Sequence, residues 1–109
     1  MIQTYHAHIY FTPDEISIAG QVREDIIKHL PQLTYTGQLI PIAIGPHPLP
    51  MFEIHIPADS INLAMATMEG LRKEFSVLIH PVQTNELEAH TNAARWLGEK
   101  LPLNLSVLK

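Results

Sequence analysis

Tyr5-His6-Ala7-His8-Ile9-Tyr10-Phe11-Thr12-Pro13-Asp14-Glu15 reads as a strand running directly into the start of a helix. Successive side chains on a strand point to opposite faces, so Ala7, Ile9 and Phe11 make one apolar set while His6, His8 and Tyr10 face the other way. The next four residues have capping-box chemistry, with Thr12 at the cap, Pro13 at the first helical position and Glu15 three residues on. Ile16, Ala19, Val22, Ile26 and Leu30 then recur at helical spacing until Pro31 stops them.

Outward from that unit the chain keeps alternating. Residues 38–44 read as a second strand, which Pro41 assigns to a sheet edge. Gly45-Pro46-His47-Pro48-Leu49-Pro50 is a stiff turn, and residues 51–56 alternate as a third strand. Pro57-Ala58-Asp59-Ser60 caps a second helix with Ile61, Ala64, Met65, Met68 and Leu71 at apolar spacing. Residues 75–80 form a fourth strand ended by Pro81. A shorter helix is expected over about 85–97 with Gly98 as its stop, and alternating Leu103, Leu105 and Val107 suggest a short strand in the tail. The order βαββαβ is that of a ferredoxin-like α+β sandwich with an antiparallel sheet, extended by a C-terminal helix and tail. Right-handed crossovers place strands one and three at the centre, strand four beside strand one, and both helices on one face.

Composition narrows the class. At 109 residues the chain is one domain, residues 1–109, long enough for a core without disulfides. It has no cysteine, which removes thiolate metal sites and a cysteine nucleophile. A net charge of −4 with scattered basic residues argues against a nucleic-acid partner. No apolar run is long enough to span a membrane, and the first residues lack the pattern of a secretion signal, so a cytoplasmic location is expected.

Seven histidines equal the Lys plus Arg total, and their placement matters more than their number. With Ala7, Ile9, Phe11, Phe52, Ile54, Ile56, Val77 and Ile79 turned to the helices, parity leaves His6, His8, Tyr10, Met51, Glu53, His55, Ser76, Leu78 and His80 on the opposite face. The start of strand one lies near the ends of strands three and four, so His6, His8, His55 and His80 gather at one end of the sheet. His6 and His8, about 7 Å apart along their strand, can converge on one cation. Glu53 on that face is costly to cover unpaired, so it should face solvent, a cation or a metal. Imidazole and carboxylate together suit iron, zinc, copper or nickel. His29, at the end of the first helix, fits a role at the helix dipole instead.

His6-Ala-His8-Ile-Tyr-Phe11, Gly45-Pro-His47-Pro48, Met51-Phe-Glu53, Ser76-Val-Leu-Ile-His80-Pro81, His90 and Trp96-Leu-Gly98 occur in order across residues 5–105, and as a set they closely resemble the DOPA 4,5-dioxygenase family. The resemblance implies a ferredoxin-like, commonly dimeric protein. It also implies extradiol cleavage of a catechol such as L-DOPA by O₂ on non-haem Fe(II), in a site that Zn or Ni could also occupy. By matching position, the family's histidines correspond here to His6, His8, His47, His80 and His90. His6, His8 and His80 are then the metal ligands with Glu53 as the carboxylate, while His47 and His90 are the catalytic candidates. The chain departs from the family pattern at Val82-Gln83-Thr84-Asn85 and at Ala89.

Extradiol chemistry needs open positions on the metal, which two histidines and a carboxylate, or three imidazoles, leave free. A further histidine can exchange protons with the substrate. Flanking prolines stiffen the loop of His47 for that task, but strand direction puts the loop at the far end of the sheet from His6 and His80. His47 must therefore fold over, or come from a second subunit. Tyr10, Met51 and Leu78 need cover, and the segment 103–108 with a second subunit would provide it, giving a two-fold homodimer. The competing reading is a non-catalytic metal- or small-ligand-binding dimer of the same fold, whose coordination sphere would be closed by four protein ligands.

Overall fold

The computed structural model describes residues 1–108. Strand β1 (Thr4–Tyr10) leads through a 3-10 turn at Pro13–Glu15 into α1 (Ile16–His29). A two-residue strand β2 (Tyr35–Thr36) and a long loop follow, then β3 (Met51–Pro57), α2 (Ile61–Leu71), β4 (Val77–Pro81), a short α3 (Glu86–His90) and β5 (Arg95–Leu97). The sheet order is β2-β3-β1-β4-β5, all neighbours antiparallel. The expected α+β architecture is present, with β1 and β3 central and β4 beside β1.

The capping box forms as the sequence suggests, the Glu15 carboxylate accepting from the Thr12 backbone N–H at 2.9 Å. Ala7, Ile9, Phe52, Ile54, Ile56, Val77 and Ile79 are fully buried against Ala19, Val22 and Ile26 of α1 and Ala64 and Met68 of α2. Each Val, Ile, Phe or Met side chain so buried contributes about 1.5–3 kcal/mol, which makes this face the stabilising one and frees the other for polar work.

Three expectations need correction. The strand expected over 38–44 is only β2 plus a single bridge between Ile40 and Met51. Pro41 cannot donate to a ladder, and the run sends Leu39 to the helix side and Ile40 to the other face. The helix expected over 85–97 ends at His90, because the outer edge of β4 recruits Arg95–Leu97 as a fifth strand. The tail forms a 3-10 turn at Leu105–Val107, not a strand. Asn104 organises that turn by accepting from Ser106 Oγ at 2.6 Å.

Tyr10, Met51 and Leu78 are buried on the non-helical face under Ile40, Leu49, Ala94, Trp96, Leu101 and Leu103. The chain thus covers those groups itself, and the need for a second subunit argued from them disappears.

Candidate metal centre

Adjacent central strands set the floor of the site. His55, His6 and His80 are cross-strand partners on β3, β1 and β4, and the next row on that face is Glu53, His8 and Leu78. Paired residues hold their Cβ atoms about 4.5–5.5 Å apart, so these imidazoles meet without help from a mobile loop. One nitrogen from each of His6, His8 and His80 lies within 4.8 Å of the others, and His6, Glu53 and His55 make a second such group sharing His6.

Proton bookkeeping tests whether a cation fits. His80 Nδ1 lies 3.1 Å from the Pro81 carbonyl, so Nδ1 must donate and His80 Nε2 keeps a bare lone pair. His8 Nε2 sits 3.0 Å from His80 Nε2. The other nitrogen of His8, Nδ1, is buried with no hydrogen-bond partner, and its nearest charged neighbour is Glu53 Oε1 at 3.6 Å. Burial, reinforced by His47 and His80, holds His8 well below the ordinary histidine range, so it is neutral with one proton for two demands. A cation between the two Nε2 atoms resolves the conflict, because the His8 proton then sits on Nδ1 facing the carboxylate. Nitrogens about 2.0–2.1 Å from a common metal lie roughly 3.0–3.4 Å apart, which matches the His8–His80 spacing. The donor set fits a metal ion.

Glu53 reaches the cluster from the Nδ1 side. Its Oε2 accepts from His55 Nε2 at 2.5 Å and lies 3.6 Å from His6 Nδ1. His55 in turn stacks on His6 with ring centroids 3.8 Å apart. His6 is pushed below its ordinary value by burial and by His55, against the opposing pull of Glu53.

His47 folds over within the same chain. Its Nδ1 lies 2.7 Å from the Tyr10 hydroxyl, and its ring centroid is 4.2 Å from that of His8. The loop is pinned from the tail, where Asn104 N–H donates to the Pro46 carbonyl at 2.8 Å. His90 arrives on α3, with Nδ1 2.8 Å from the Glu86 carbonyl and its ring centroid 4.1 Å from His80. Burial is the main reason that His47 and His80 are each lowered to about 4, with His90 adding to both. His6, His8, Pro46, His47, His80, Val82, Glu86, His90 and Leu108 all line one cavity of about 230 Å³. An apolar cavity of about 150 Å³ holds benzene, so this one has room for a single substituted ring.

All five histidines singled out by resemblance therefore share one site, with Glu53 behind it. The expected model of the Dopa 4,5-dioxygenase family matches residues 5–107. The chain belongs to that family. It is 28% identical to a DOPA 4,5-dioxygenase of Amanita muscaria over 98% of its length and 50% of that protein's. It is 31% identical to an uncharacterised 21.2 kDa protein of Botryotinia fuckeliana, over 96% of this chain and 63% of the other. The chain thus spans between half and two thirds of these relatives. A crystal structure from Nostoc punctiforme, whose dioxygenase assignment is provisional, superposes with a TM-score of 0.90 at 26% identity, covering 97% of this chain and 90% of that one. No helix among the described residues is long and apolar enough to cross a membrane.

Sequence reasoning missed two members of the site. Tyr10 was on the correct face by parity, but its bond to His47 depends on a loop whose path no periodicity reports. Glu86 has a local signal, the i, i+4 spacing to His90 on one helix. His29 lies outside the site, its Nδ1 2.8 Å from the Asp25 carbonyl.

Proposed function

We propose that this domain is a metal-dependent extradiol dioxygenase that opens a catechol such as L-DOPA with O₂. The observation that carries this reading is the His8 proton conflict beside the bare His80 Nε2, at the floor of a one-ring cavity. His6, His8 and His80 would hold Fe(II), with Glu53 as the associated carboxylate; zinc or nickel could take the same donors. The metal would supply open positions at which catecholate and O₂ meet. Glu53 and His55 orient the ligands from behind. The Pro81 carbonyl accepts from His80 Nδ1, which fixes the His80 tautomer and would raise its basicity as a ligand. His47 and His90, whose rings lie beside those of His8 and His80, would exchange protons with the bound substrate. Both oxygen atoms enter the product as the ring C–C bond beside the diol breaks.

Anaerobic loading with Fe(II), followed by O₂ and a panel of catechols, tests the proposal. A yellow ring-opened semialdehyde from at least one catechol is expected; none from any of them, with metal confirmed bound, overturns it. We also propose a cytoplasmic two-fold homodimer. Exposed Val82, Leu87, Leu105 and Val107 offer it apolar surface. Light scattering at micromolar concentration should give twice the chain mass.

A further inference from the structure

Among the histidines of the cavity, His47 and His90 are tied at the same ring atom, Nδ1, to partners of opposite character. His90 Nδ1 lies 2.8 Å from the Glu86 backbone carbonyl and 3.6 Å from the Glu86 carboxylate. Both partners accept only, so Nδ1 carries the proton and His90 Nε2 is bare. His47 Nδ1 instead meets the Tyr10 hydroxyl at 2.7 Å. That hydroxyl belongs to a residue only 1% exposed, and His47 is its one hydrogen-bond partner among the described residues. A buried O–H with a single partner must donate to it, since the reverse arrangement leaves its hydrogen unsatisfied. His47 Nδ1 then accepts, and its proton resides on Nε2.

We infer that Tyr10 is a positioning residue that fixes His47 as an Nε2–H donor, while the Glu86 carbonyl fixes His90 as an Nε2 acceptor, so that the two histidines divide proton handling at the cavity. This rests on the dioxygenase reading for its chemical meaning. His90 Nε2 takes the proton released when a catechol hydroxyl ionises, and it returns that proton to solvent. His47 Nε2–H is a hydrogen-bond donor at the cavity wall and does not act as the first base.

The test is a long-range ¹H–¹⁵N correlation spectrum of ¹⁵N-histidine protein loaded with Zn(II) at pH 8, with signals assigned through His47→Gln and His90→Gln. The expected result is the Nε2–H tautomer for His47 and the Nδ1–H tautomer for His90. Tyr10→Phe, which keeps the ring and removes only the hydroxyl, should convert His47 to a tautomer mixture and leave His90 and the zinc content unchanged. With Fe(II), the same variant should lose about ten- to a hundredfold in kcat with little change in KM. An Nδ1–H tautomer for His47 in the unaltered protein, or a His47 spectrum unmoved by Tyr10→Phe, overturns the inference. If Tyr10→Phe does not fold, the unaltered protein decides alone. Tautomers are read without turnover, so inactivity toward every catechol with both tautomers as stated would overturn the dioxygenase reading and leave this assignment standing.

Discussion

His8 occupies a position where helix-facing core and site are separated by one residue of a strand. Its neighbours Ala7 and Ile9 are fully buried against the helices, and its own imidazole is only 3% exposed on the other face. His8→Ala should therefore lower metal affinity by more than about 100-fold, beyond the effect usual for outer-shell changes. The thermal midpoint of the metal-free protein should stay close to that of the unaltered chain, because the substitution also removes an unpartnered buried nitrogen. Full metal occupancy with a lowered midpoint would refute the ligand role. Glu53→Gln keeps the shape and removes the charge, and should weaken metal retention by about 10–100-fold in competition with a chelator. These two residues were legible because a period of two fixes a strand residue's face wherever one face is buried. His90 was not readable from residue patterning alone: a single histidine in a polar stretch carries no periodicity, and its arrival depends on where a five-residue helix lands.

Helix α3 is the smallest helix that brings residues to the cavity. It spans Glu86–His90, and its cap is the Asn85 side chain accepting from Glu88 N–H at 2.9 Å. An N-cap is worth about 1 kcal/mol, a large share of what so short a helix has. Asn85→Ala should fray α3 and release His90, lowering kcat while metal content stays constant; loss of metal in parallel would show that α3 supports the ligands themselves. The element expectations that failed are those where tertiary pairing outweighed local pattern. Arg95-Trp96-Leu97 sits where a helix seemed to continue, yet β4 had an open edge and Trp96 had Tyr10 to stack on, ring centroids 6.1 Å apart. The segment 38–44 failed for the opposite reason, since its alternation was real but Pro41 interrupted the donors needed for a ladder.

At the scale of the molecule, strand order was readable because two helices on one face of a four-stranded core leave few right-handed connections. The cover over the other face was not, because it comes from loop and tail residues with no repeat. One property belongs to the whole fold: it shields neutral imidazoles. Burial pushes His47 and His80 down to about 4 in the folded chain, from about 6.5 when unfolded. Between those values the unfolded chain binds more protons, so stability of the metal-free protein is full above about pH 6.5 and falls as pH drops toward 4. The loss should approach roughly 2–3 kcal/mol for each of the two. Denaturant midpoints at pH 7, 5.5 and 4.5 should decline in that order, and a flat series would contradict the shielding. The same architecture has a consequence in time. His8 and His80 are 72 residues apart, with β1 at the sheet centre and its partner β4 arriving late in the chain. A ribosome adding about 5–20 residues per second delivers His6 and His8 roughly 4 to 14 s before His80. Until then the His6–His8–His80 group is incomplete and β4 is missing from the floor of the cavity, so a cation acquired early meets only part of its donor set. On the proposed function, tight metal binding would then come only with the finished sheet, and a chain stopped short of His80 should bind a metal more weakly than the full chain.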